Sequence, residues 1–219
     1  MPPAPGRRGT PLLANAALRL YAIISSNGAR SAGGQTDEFE VVVLRDLAAI
    51  VTGQGAYSLE ATSDGATKRH RRIVDSVFRR HAVLPAPVGV VFRSSDALAQ
   101  WLELHYATLM DGLSFVEDRR GARVHVSRSE PGGDEGAGRE VAEVAAESFR
   151  AFRGKAAASI ALRLDAPDTA FSEAYLVDRE SWEEFTAAAA AQRSANPKVR
   201  IDVTGPWAPY DFIQMQFGA

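Results

Sequence analysis

Along residues 17–25, Leu18, Leu20, Ala22 and Ile24 alternate with Arg19, Tyr21 and Ile23, the two-residue period of a largely buried strand. Residues 26–38 carry Gly28, Gly33 and Gly34 and read as a turn-rich loop. The β-branched runs at 39–44 and 47–52 predict two short strands that pair across Arg45 and Asp46. Between 67 and 81 the period changes to that of a helix. Ile73, Val74, Val77 and Phe78 make its apolar face, opposite Lys68, Arg69, Arg71, Arg72, Arg79 and Arg80. Pro85 and Pro87 restrict the next strand to 88–92, with an extended approach ahead of it. Ser94 or Ser95 then caps a helix whose stripe is Leu98, Trp101, Leu102, Leu109 and Leu113. In 122–127, Val124 and Val126 alternate with Arg123 and His125, which predicts the closing strand of a first domain.

Residues 129–138 are rich in glycine and acidic residues around Pro131, the composition of a linker. Beyond it, Val141, Val144, Ala145, Phe149 and Phe152 predict an amphipathic helix ending near Gly154. Strands follow at 158–164 and 174–177. A helix anchored by Trp182 and Phe185 comes next, capped by Asp178 or Ser181 and stopped at Asn196 and Pro197; a half-buried strand then carries Val199, Ile201 and Val203. The predicted organisation is a disordered tail at 1–15, an N-terminal α+β domain at 16–128, a linker at 129–138 and a C-terminal α+β domain at 139–219 opening with a helix. Each domain is expected to be a mixed or antiparallel sheet with helices on one face, ferredoxin-like or a variant of it.

Composition removes several chemistries. The 219 residues include no cysteine, which excludes disulfides, thiolate metal sites and cysteine nucleophiles. A net charge of −2 gives no overall attraction for nucleic acid or anionic membranes. Every apolar run is far shorter than the roughly 20 residues a membrane helix needs. The apolar stretch at 11–20 is broken by Asn15 and Arg19, so a cytoplasmic protein without a secretory signal is expected. His70, His81, His105 and His125 have no metal-pair spacing; the first two lie about 16 Å apart along one helix. Phosphate-loop, dinucleotide and serine-elbow motifs are missing from the sequence, and no catalytic, metal or cofactor residues are assigned. Arg71, Arg72, Arg79 and Arg80 are candidates for charged docking, although a solvated helix face accounts for them equally.

Three stretches carry a resemblance. Thr204-Gly205-Pro206-Trp207-Ala208-Pro209-Tyr210-Asp211-Phe212 resembles the T-G-P-W-P-P-Y-S-F signature of the GvpL/GvpF family of minor gas vesicle proteins. Residues 174–179, Ala-Tyr-Leu-Val-Asp-Arg, resemble that family's A-F-L-V-D-R. Residues 83–92 resemble its V-L-P-x-R-F-G-T-V-F, with Pro87 and Val88 where the family has arginine and phenylalanine. Ala208 stands for a proline, and Gly138-Arg139-Glu140 is what remains of a longer G-R-E-Y-L stretch. The resemblance implies a non-enzymatic cytoplasmic protein of the gas vesicle. Its partners would be the major shell protein and other minor gas vesicle proteins, and its work would be shell nucleation or assembly. In the tail, Gly205, Pro206 and Pro209 restrict the backbone so that Trp207, Tyr210 and Phe212 can anchor the C-terminus or, if exposed, bind a partner. A ferredoxin-like domain that binds a small ligand or catalyses a reaction, and a regulatory scaffold without a gas vesicle role, are the alternatives.

Overall fold

The computed structural model describes residues 16–31, 38–54, 63–129, 135–163, 169–213 and 215. The expected tail at 1–15 lies outside them, as do residues 130–134 of the expected linker. The chain divides into two compact units, one running to Leu113 and the other from Ser114, with Ala82–Leu84 grouped with the second.

The first unit is built on β1 (Ala17–Ser25), followed by α1 (Ser26–Ser31), β2 (Glu40–Leu44), β3 (Leu47–Gln54) and α2 (Asp64–Phe78). Then come β4 (Leu84–Pro85), β5 (Val91–Phe92), α3 (Ser95–Leu104) and α4 (Tyr106–Val116). The sheet order is β2-β3-β1-β4, with β5 also on β1. β2 pairs antiparallel with β3, as the two β-branched runs predict, and β3 also pairs antiparallel with β1. Leu18, Leu20, Tyr21, Ala22, Ile23 and Ile24 are all buried, so β1 is covered on both faces. Of the strand expected at 88–92 only Val91–Phe92 forms, and a second fragment, Leu84–Pro85, lies in the expected extended approach. Ala86 donates its N–H to the Tyr21 carbonyl and Leu20 to that of Val90, and the turn at 88–89 separates them.

Two features of this unit escape the periodicity. Residues 26–31 form the short α1 where a loop is expected. The long stripe of Leu98, Leu102, Leu109 and Leu113 belongs to two helices, α3 and α4, which meet at His105 (φ −102°, ψ 11°). No proline or glycine causes this break. Arg45 of the β2–β3 turn pairs with Glu103 at 2.6 Å and the Tyr106 hydroxyl donates to Asp46 at 2.6 Å, so that turn contacts both sides of the joint.

The second unit contains β6 (Arg119–Arg128), α5 (Glu135–Arg153), β7 (Ala158–Ala161), β8 (Thr169–Asp178), α6 (Trp182–Ala195) and β9 (Val199–Trp207). Its antiparallel sheet runs β7-β8-β6-β9. This is the βαββαβ winding in which the fourth element lies beside the first, the ferredoxin-like plan. β1, α1, β2, β3, α2 and β4 follow the same order in the first sheet. The α+β reading therefore stands, with both sheets ferredoxin-like.

One strand changes place. Residues 122–127, expected to close the first domain, belong to β6, the first strand of the second sheet. The glycine-rich stretch at 129–138 is the strand-to-helix connection inside this unit, and its last four residues already belong to α5. Composition marks a break in regular structure, and a connection within a domain has the same composition as one between domains.

On one face of the second sheet, α5 and α6 bury Val141, Ala145, Phe149, Phe152, Phe185 and Ala189 against Ala122, Val124, Tyr175 and Val177. Phe152, Tyr175 and Phe185 form a ring cluster with centroids 5.4–5.8 Å apart. Ser181 stands at the α6 N-cap without a side-chain cap bond, and Asp178 accepts from Arg119 Nε at 2.9 Å instead of capping.

Candidate functional site

The face of the second sheet turned away from α5 and α6 carries Gly121, Arg123 and His125 of β6 and Ser172, Ala174 and Leu176 of β8, by alternation with the core residues. The segment after β9 runs across it. A Cβ on Gly121 would lie 3.1 Å from the Trp207 carbonyl oxygen, 3.4 Å from that of Ala208 and 3.7 Å from Pro209 Cα, so the chain crosses close above it and a side chain there would be tightly packed. Gly205 is in the left-handed region (φ 136°), and a Cβ there would meet the Gly121 carbonyl at 2.8 Å and the Trp182 ring at 3.0 Å. The Gly205–Pro206 bond is cis.

Past this crossing, Ala208 and Pro209 are buried, while Tyr210, Asp211 and Phe212 are half-buried. Tyr210 N–H donates to the Ala208 carbonyl at 2.8 Å and Phe212 N–H to that of Pro209 at 3.1 Å, giving a tight turn. Arg123 holds the turn with a two-pronged contact: Nε donates to Asp211 Oδ2 at 2.9 Å and Nη2 to Oδ1 at 2.8 Å. Trp207 stands differently from its neighbours. The residue is 46% exposed, and its Nε1–H donates to the Thr204 hydroxyl at 3.3 Å. The three tail aromatics named from sequence thus share one segment, with Trp207 outward and the other two partly covered.

Sequence reasoning missed Arg123, Asp211 and Gly121, although an arginine at an alternating strand position was legible. It also missed Glu173. That carboxylate is only 2% exposed and accepts from Arg153 Nε at 2.8 Å and Nη2 at 2.9 Å. Burial alone would raise its pKa, but hydrogen bonds from Arg153 and Ser159 and the guanidinium charge outweigh burial and hold it below the usual carboxylate range. Burial, followed by the neighbouring Glu173 charge, pushes the Tyr175 hydroxyl far above its ordinary value.

Arg71, Arg72, Arg79 and Arg80 are all exposed on α2, where Arg72 pairs with Glu38 at 3.1 Å. Burial raises the Asp75 pKa, against the pull of Arg79 and Arg71. His70 faces inward from the same helix, with its ring 5.2 Å from Tyr21. His105 sits beside Trp101 at 5.0 Å, and His125 Nδ1 is 2.8 Å from the Ser172 hydroxyl. Among the described residues, no three His, Asp or Glu side chains are grouped to hold a metal ion, and no helix is long and apolar enough to cross a membrane.

The profile of one protein family, the gas vesicle synthesis proteins GvpL/GvpF, matches residues 17–147 and 132–214. The chain belongs to the GvpL/GvpF family. A relative, gas vesicle protein F of Haloferax mediterranei, is 24% identical over 185 residues, covering 80% of this chain and 81% of its own. Crystal structures of two GvpF proteins share the fold. That from Anabaena sp. PCC7120 superposes with a TM-score of 0.71 at 13% identity, over 92% of this chain and all of its own. That from Microcystis aeruginosa gives 0.73 at 14% identity, over 91% of this chain and all of its own. The matched ranges include Gly121, Arg123 and Asp211.

Proposed function

We propose that this chain is a non-catalytic accessory protein of gas vesicle assembly, working in the cytoplasm and at the vesicle. Its main partner would be the major shell protein, with other minor gas vesicle proteins as further partners. The chain would cover the apolar surface of the shell subunit until that subunit joins the growing wall, and so assist nucleation. Family membership supports the gas vesicle role. The observation that points to a contact is Trp207, a large aromatic residue 46% exposed on a backbone fixed by Pro206, Pro209 and the crossing at Gly121. A large aromatic that is already held in place gives up little freedom when a partner covers it, which is the character of a binding hot spot. The exposed arginines Arg71, Arg72, Arg79 and Arg80 are proposed as a separate charged docking face on α2.

The test is capture of the shell protein from a co-expressing cell. Trp207→Ser should weaken capture by about 2 kcal/mol, roughly 30-fold, with the circular dichroism spectrum unchanged. Undiminished capture by the folded variant would remove Trp207 from the contact.

A further inference from the structure

α2 has two unlike faces. His70, Ile73, Val74 and Val77 are buried, whereas Lys68, Arg69, Arg71, Arg72, Arg79 and Arg80 are all exposed. Among the described residues, Arg72 is the one of these six cations with an ion-pair partner, Glu38 at 3.1 Å. At 3.6 residues per turn, Lys68, Arg72 and Arg79 fall on one line down the outer face, about 16 Å long. One carboxylate interrupts that line. Asp75 lies between Arg72 and Arg79, half-buried and within reach of the charges of Arg71 and Arg79. The line therefore reads cation, cation, anion, cation, at intervals of four, three and four residues.

We propose that this line docks a helix of a partner protein, one that carries carboxylates opposite Lys68, Arg72 and Arg79 and a cation opposite Asp75. The proposal rests on the reading of α2 as a charged docking face and is independent of what Trp207 contacts. Charge complementarity sets the sign of the occupant. Spacing sets its form, because charges one helical turn apart along a straight line meet their opposites on a second helix lying alongside, as flanking charges do in coiled coils. Five of the six cations are arginine, whose fork holds a carboxylate by two parallel hydrogen bonds.

Asp75 sets the pattern. A nucleic acid duplex or an anionic bilayer offers one sign of charge throughout, which Asp75 would oppose. None of the exposed large apolar residues lies on α2, so this face has no such side chain to insert into a bilayer or to stack on a base. Exposed charge pairs are individually weak and screened by salt, so the contact selects a partner and releases it readily.

The probe is a set of fluorescein-labelled helical peptides matched in helicity. One carries Glu, Glu, Lys and Glu on one face at the same four, three and four spacing, a second carries the reverse order to allow antiparallel docking, and a third has Glu at all four positions. Fluorescence anisotropy with the full-length chain in about 50 mM salt gives the affinities. One patterned peptide should bind about fivefold tighter than the all-glutamate peptide, although its net charge is less negative. Asp75→Asn should erase that preference. Arg72→Glu combined with Arg79→Glu should weaken the patterned peptide about tenfold, and about 0.5 M salt should release it. Trp207→Ser should leave peptide binding unchanged, so this inference and the shell contact fail separately.

The deciding comparison uses the unmodified chain, so no variant has to fold for it. An all-glutamate peptide bound as tightly as both patterned ones would overturn the proposal, because attraction would then follow sign alone. So would a DNA duplex or phosphatidylserine vesicles binding α2 more tightly than the patterned peptides, as judged by loss on Arg72→Glu with Arg79→Glu.

Discussion

Two buried ionisable side chains carry most of what can be tested one residue at a time. Glu173 lies on the core side of β8, in register with Val124 of β6, and is satisfied by a guanidinium that reaches in from the end of α5. Because its folded pKa is depressed below the ordinary 4.5, the stability it contributes is complete above that value and is lost as pH falls through the lower folded value. Glu173→Gln should cost about 1–3 kcal/mol near neutral pH and flatten part of the acid loss, which urea titrations at about pH 7 and about pH 3.5 would register. His70 is 1% exposed against Tyr21, and burial, despite the Ala86 backbone, lowers its pKa from 6.5. The unfolded chain therefore binds the proton more readily. Stability linked to His70 is complete above about pH 6.5 and declines below it. His70→Phe, which can keep a ring against Tyr21, should make the unfolding midpoint less sensitive to pH between about 7.5 and about 5. The slope should become shallower without vanishing, because burial also lowers the His81 pKa. Neither role was legible beforehand. A glutamate inside an apolar alternation and a histidine within a basic cluster both read as solvated positions until the packing is known.

At the scale of elements, local chemistry and tertiary constraint divide the work visibly. Ser63 and Ser94 accept N–H bonds from Ala66 and Ala97 at 3.2 and 3.1 Å; Ser94 is one of the two caps expected from sequence, whereas Ser63 starts α2 ahead of the helix expected from 67. Ser94→Ala should lower stability by about 1 kcal/mol, measured as a shift in the urea midpoint at unchanged slope. The joint at His105 follows from nothing local. Arg45 and Asp46 reach Glu103 and Tyr106 on its two sides from a turn some sixty positions earlier. Likewise Pro85 and Pro87 announced an interruption, but only the pairing of Leu20 and Tyr21 with both fragments makes them one ragged edge. Periodicity reports burial along an element. It does not report where a neighbour pulls that element out of line.

For the whole molecule, the α+β class was legible, but the identical winding of the two sheets was not, because the strand expected to close the first half, 122–127, opens the second sheet. The tail motif pointed to Trp207, Tyr210 and Phe212, whereas the arginine beneath them had to be found in space, because Arg123 and Asp211 are 88 positions apart. The same winding has a consequence in time. The first sheet has all its strands once Phe92 is made, but β6 must wait for β8 and then β9 before both its sides are paired. Through that stage of synthesis the future centre of the sheet is an unpaired ribbon, open to any other nascent chain. It carries Arg119, Arg120, Arg123 and Arg128, charges that suit a strand obliged to stay soluble while waiting. One of those arginines, Arg123, later clasps the segment that follows the last strand to arrive, so a residue that first repels strangers finally certifies that the chain has closed on itself.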